Sequence, residues 1–139
     1  ISVQSQIINL LKDLQNKFNI TYLFITHGLN AARYITDRIG VMYLGQLVEV
    51  GPTQSIFEKP AHPYTRALLE ANPIADPAVK GEFQPLMGEI PSPASPPSGC
   101  RFHTRCPFAT ERCKKEQPKM LMVNEDRGFA CHYPLDIKN

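Results

Sequence analysis

The chain has 139 residues, 42% of them hydrophobic and 20% charged, and a formal net charge of +2. This is the composition of one globular domain, or of part of a larger one with an appendage, and it excludes a disordered polyelectrolyte. The small charge argues against a nucleic-acid partner, and the basic residues gather only weakly, at Arg101, Arg105, Arg112, Lys114 and Lys115.

The first residue is Ile1 rather than Met, so an N-terminus made by cutting is expected. No basic head with an apolar core and cleavage site marks a signal peptide, and no apolar run reaches the roughly 18 residues of a membrane span. A reducing, cytosolic setting is therefore expected. Residues 2–18 predict an amphipathic helix capped by Ser2, with Val3, Ile7, Leu10, Leu11, Leu14 and Phe18 on one face and Asn19 as its stop. Thr21–Thr26 is β-branched, aromatic and apolar on both parities, the pattern of a strand covered on both faces. A turn at His27–Gly28 and a short helix over Leu29–Thr36 follow. Strands over Arg38–Leu44 and Gln46–Val50 are predicted to form a tight hairpin at Gly45. Short helices over 53–59 and 63–72 each carry a proline near the start.

After Asn72 the texture changes. Seven prolines fall between Pro73 and Pro97 inclusive, and 91–99 is built from Pro, Ser, Ala and Gly alone. Such a stretch favours an extended path. The last 40 residues hold all four cysteines and few large aliphatics, so a cross-link or metal is expected to hold them. The expected plan is an α/β piece over 1–72, a proline-rich linker over 73–99 and a four-cysteine module over 100–139.

His27 directly follows the predicted strand, where α/β proteins place ligand-binding groups. An imidazole there can donate to a phosphate oxygen; a surface turn histidine without a role is the competing reading. The order Ile25-Thr26-His27, Asp37-Arg38-Ile39, then Val41-Met42-Tyr43-Leu44-Gly45-Gln46-Leu47-Val48-Glu49-Val50-Gly51 resembles the region of ABC-transporter ATPases after the Walker B strand. His62-Pro63-Tyr64-Thr65-Arg66-Ala67-Leu68-Leu69 is similar to a mark of the oligopeptide/dipeptide importer branch, which includes nickel importers. The resemblance covers essentially the whole chain. It implies the fold class: α/β, the C-terminal part of a P-loop (RecA-like) ABC ATPase domain, followed by a small irregular four-cysteine metal-cluster appendage. It also implies that His27 is the switch histidine contacting the γ-phosphate of ATP in the intact subunit. Gly28 stands where the family usually has aspartate.

The chain contains no Gly-x-x-x-x-Gly-Lys-Ser/Thr phosphate loop, no Leu-Ser-Gly-Gly-Gln signature and no apolar strand ending in Asp-Glu. Phosphates need backbone N–H groups and a lysine, and magnesium needs its own ligands. Hydrolysis by this polypeptide alone is therefore not expected; ATP and Mg belong to the intact subunit.

Cys100, Cys106, Cys113 and Cys131 are separated by five, six and seventeen residues. Disulfides are disfavoured in a reducing compartment. Four thiolates suit zinc or an iron–sulfur cluster, and these gaps match neither the close pairs of a zinc knuckle nor a ferredoxin run. The string Gly99-Cys100-Arg101-Phe102-His103-Thr104-Arg105-Cys106-Pro107-Phe108-Ala109, with Cys113 and Phe129-Ala130-Cys131-His132, resembles the C-terminal extension of peptide-importer ATPases. Some members of that branch bind a 4Fe-4S cluster through four such cysteines, so the resemblance implies that cofactor, with zinc as the rival. His103 and His132 are candidate substitute ligands for zinc, or donors to the thiolates. Arg101, Arg105, Arg112 and Lys114 can offset the negative charge of such a site, or form a solvated face. A structural staple is the more economical role, because the tail has no other evident way to hold itself together.

The implied partners are membrane permease subunits and a second ATPase subunit, at the inner face of the cell membrane, in import of short peptides. A stand-alone zinc-binding interaction module is the alternative. The apolar helix face and the two-sided strand also predict that the fragment self-associates.

Overall fold

In the computed structural model the described residues are 3–72 and 86–135. The cap predicted at Ser2 and the first part of the proline-rich segment, 73–85, lie outside them. The chain divides into two compact units, residues 1–37 and 38–139.

The first unit holds α1 (Val3–Phe18) and α2 (Leu29–Ile35). Asn19 terminates α1 in the left-handed conformation, φ 51°, as an asparagine just past a helix readily does. Lys12 Nζ lies 4.1 Å from the centre of the Tyr34 ring, and Tyr34 Oη donates to Asn9 Oδ1 at 3.1 Å. The predicted strand at Thr21–Thr26 is not formed: the backbone runs irregularly, with Leu23 91% and Ile25 90% exposed. An extended run becomes a strand only when another backbone accepts its N–H and C=O groups, and none of the described strands pairs with it. The apolar face predicted for α1 is likewise only partly covered, with Leu11 and Leu14 half-buried. Val3, Ile7, Leu10 and Phe18 are exposed, and Ile8 is the buried residue instead.

The second unit is built on a four-stranded antiparallel sheet of order β1-β2-β4-β3. β1 (Arg38–Tyr43) and β2 (Gln46–Pro52) form the predicted hairpin. Its two-residue loop, Leu44-Gly45, has φ of 45° and 79°, the doubly positive pattern whose twist matches that of paired strands. α3 (Thr53–Glu58) and α4 (Pro63–Ala71) follow, and beyond the proline-rich stretch come α5 (Glu111–Lys115), β3 (Leu121–Met122) and β4 (Gly128–Phe129). The tail is thus not wholly irregular. β4 pairs with β2 through Glu49↔Phe129 and Val50↔Gly128, so residues near the C-terminal end complete the hairpin's sheet. The core is Val41, Tyr43, Val48, Ile56 and Phe102, the last contributed by the cysteine-bearing segment.

Candidate functional site

Two devices seat the cysteine-bearing loop on the hairpin. Phe102 packs edge-on against Tyr43 at 5.2 Å and 82°, and lies 5.3 Å from Tyr64. Arg101 donates Nη1–H to the carbonyl of Leu44 at the hairpin turn. A chain of turns then brings the thiols round: His103 N–H to Cys100 O at 3.0 Å, Cys106 N–H to His103 O at 3.4 Å, and Ala109 N–H to Cys106 O at 3.2 Å. Cys113 lies on α5, and Cys100 N–H donates to its carbonyl at 2.8 Å. That approach requires glycine at 99, where φ is +66° and a Cβ would fall 2.3 Å from Cys113 O. Cys131 follows β4, fixed by Ala130 N–H donating to Val48 O at 2.8 Å.

Cys100, Cys106, Cys113 and Cys131, all free thiols, line one cavity of about 10 Å³, close to the size of a single water or ion. His62, His103, His132, Phe102, Phe108 and Tyr133 complete much of its wall. Burial pushes the Cys131 thiol up to about 11, with Cys100, Cys106 and Cys113 adding repulsion and Tyr133 N–H pulling the other way. Burial also raises Cys100, against N–H groups of Phe102 and His103, and raises Cys106, against that of Phe108. Thr110 Oγ1 lies 3.6 Å from Cys113 Sγ. Among the described residues, no group of three or more His, Cys, Asp or Glu side chains is arranged to hold a metal ion. The convergence is of four soft donors round a shared space, each of three meeting backbone N–H groups that favour its thiolate. In kind, this donor set suits a soft cation.

The histidines proposed as substitute ligands are engaged elsewhere at one nitrogen: His103 Nδ1 with Cys100 O at 2.8 Å, His132 Nε2 with Glu116 O at 2.9 Å. The basic cluster is partly neutralised on α5 itself, by Arg112–Glu116 at 2.8 Å and Lys114–Glu111. His27 lies in the first unit, exposed, beside a turn in which Gly28 N–H donates to Thr26 Oγ1 at 2.9 Å.

Sequence reasoning missed the group beneath the cysteine site. Glu49 is fully buried on β2, and its carboxylate accepts from Ala61 N–H and His62 N–H, both at 2.8 Å. Arg127 Nη2 stands 3.4 Å from Glu49 Oε1 and also donates to Lys59 O. His62, 1% exposed, caps α4 by accepting Tyr64 N–H on Nδ1 at 3.0 Å, and burial lowers its pKa from 6.5 to about 4. The signal was Glu49 between two valines of a strand, a charge where burial was due.

Residues 48–113 match the family described as the oligopeptide/dipeptide transporter, C-terminal region. A probable peptide ABC transporter ATP-binding protein of Sinorhizobium fredii is 50% identical over 132 residues, covering 95% of this chain and 37% of that protein. The oligopeptide transport ATP-binding protein AppF of Bacillus subtilis is 48% identical, over 95% of this chain and 41% of its own length. The di/tripeptide transport ATP-binding protein DppF of Pseudomonas aeruginosa is 46% identical, over 96% and 41%. The chain thus spans about two fifths of the length of the relatives it matches. With β2 from Val48 onward, the His62-Pro63-Tyr64 cap and Cys100, Cys106 and Cys113 inside residues 48–113, and 46–50% identity along nearly the whole chain, the chain belongs to the ATP-binding proteins of oligopeptide/dipeptide ABC transporters, as a C-terminal fragment of one.

Proposed function

We propose that this chain is part of the ATPase subunit that energises ABC import of short peptides. The observation that carries the reading is identity of 46–50% along nearly the whole chain to proteins whose names specify peptide transport. Residues 1–72 belong to the nucleotide-binding domain, 73–99 link, and 100–139 form an appendage that packs back on the hairpin through Phe102 and β4. His27 serves as the switch histidine towards the γ-phosphate, with ATP and Mg held by parts of the subunit that this sequence does not contain. Its partners are permease subunits and a second ATPase subunit, at the inner face of the cell membrane. No helix among the described residues is long and apolar enough to cross that membrane. In the full-length subunit, His27→Ala is expected to keep ATP binding and lose hydrolysis and peptide uptake. Unchanged hydrolysis would remove the switch role.

The four cysteines, in this reading, hold a 4Fe-4S cluster as a structural staple. Their convergence on one cavity, with backbone N–H groups turned to three of the sulfurs, supports a thiolate-held metal. A single zinc is the second reading, favoured by the cavity's size of about 10 Å³. Protein purified without oxygen decides between them: about four iron and four sulfide per chain for the cluster, one zinc for the ion. Absence of any metal removes both.

A further inference from the structure

His62 is almost wholly buried, yet only half of its imidazole has a partner. Nδ1 accepts the Tyr64 N–H at 3.0 Å, so the ring proton of the neutral form sits on Nε2. Nε2 is buried and has no hydrogen-bond partner among the described residues. His62 is among the residues bordering the cavity shared by Cys100, Cys106, Cys113 and Cys131. A buried donor without an acceptor is a liability that folded proteins rarely keep without a use. Here the orientation is held from behind: Glu49 Oε2 accepts His62 N–H at 2.8 Å, and the Phe102 ring lies 5.8 Å away, tilted by 54°. The acceptors that all four cysteines bring to the cavity are sulfur atoms.

We infer that His62 is a positioning residue of the cysteine site, whose Nε2–H, out of hydrogen-bond reach of every sulfur as the structure stands, meets a cysteine sulfur once the thiolates close on metal and so tunes the metal group which that sulfur holds. The inference rests on the reading that the four thiolates bind metal. Donation to a ligating sulfur draws off negative charge, which stabilises a reduced cluster and strengthens the hold of the site on its metal. The motif that begins at His62 thereby acquires a chemical task besides capping α4.

Two substitutions in the complete polypeptide separate the tasks. His62→Asn places a carbonyl oxygen where Nδ1 lies and so keeps the cap, but has no donor at the Nε2 position. His62→Gln returns an amide N–H near Nε2. In iron-loaded protein with equal metal content, the Asn variant is expected to shift the redox equilibrium about tenfold towards the oxidised form, about 59 mV lower for one electron. The Gln variant recovers most of the shift. If the bound group is zinc, chelator competition reads about tenfold weaker binding in the Asn variant. An Asn variant matching the parent overturns the inference while leaving the metal site standing. A parent protein that binds no metal overturns the metal reading, and the inference with it. Unmutated protein loaded with NMR-active cadmium gives the same answer without substitution: scalar coupling from the Nε2 proton to the metal supports the bond, and its absence overturns it.

Discussion

Arg127 and Glu49, 78 positions apart in the chain, meet in its interior with guanidinium Nη2 3.4 Å from carboxylate Oε1. Glu49 also receives the backbone N–H groups of Ala61 and His62, so one buried carboxylate ties together β2, the start of α4 and the segment before β4. Removing one partner of such a pair leaves an uncompensated charge out of water. Arg127→Met is therefore expected to lower the unfolding free energy by about 3 kcal/mol, read from urea denaturation. An unchanged midpoint would show that the pair adds nothing. Glu49→Gln should cost less, because an amide oxygen still accepts one of the backbone N–H groups.

His62 sets an acid limit to the fold. Its pKa falls from 6.5 to about 4 because burial disfavours the imidazolium. Between those values the unfolded chain binds more protons than the folded one, so the contribution is complete above about 6.5 and is lost as pH falls towards 4. Denaturation midpoints should decline across that window in the parent and flatten in His62→Asn.

The thiols respond in the opposite sense. Burial raises Cys100, Cys106 and, to about 11, Cys131 above the usual 9.0, so they hold their protons at neutral pH. Without metal, their contribution to folding is full below 9 and lost as pH rises through about 11. Metal uptake through thiolates must expel those protons. Acid release on metal addition, and affinity that increases from about pH 6 to about pH 8, are expected; binding indifferent to pH would argue against thiolate ligation.

Gly99→Ala tests the loop closure. The left-handed backbone alone costs a side chain about 1–2 kcal/mol, and the added Cβ meets Cys113 O at 2.3 Å. The variant should melt earlier and retain less metal; wild-type retention would mean that the loop can reorganise freely.

The first unit carries its apolar side chains in the open, with Val3, Ile7, Phe18, Leu23 and Ile25 all more than half exposed. Concentration-dependent association is expected in sedimentation, weakened by Leu23→Asp with Ile25→Asp. A monomer at every concentration would show that these side chains are tolerated in water.

The hairpin was legible in the sequence because alternation, a central glycine and short reach are local properties, and its two-residue turn sits at the predicted glycine. Likewise, Pro63 at the start of α4 and Asn19 after α1 act through their own backbone preferences. Thr21–Thr26 shows where such reasoning stops: the pattern states that a segment can be buried in a sheet, and only a partner makes it one. β3 and β4, at two residues each, are too short to display a period. The Glu49–Arg127 pair and the unpartnered Nε2 of His62 depend on contacts between distant segments, which no local window contains. The concentration of all four cysteines in the tail was legible in the sequence, whereas the role of Phe102 in seating their loop on the hairpin was not.

The strand order has a consequence for how the molecule is made. β4 lies between β2 and β3, so the hairpin leaves the ribosome with one margin open and waits for nearly eighty further residues before Gly128 and Phe129 can fill it. Closure over so long a separation is slow compared with hairpin formation, and the nascent chain must keep that margin from pairing with neighbours meanwhile. A polypeptide released just short of Arg127 would never close, and its open margin would distinguish it from a finished chain for any protease that inspects new products.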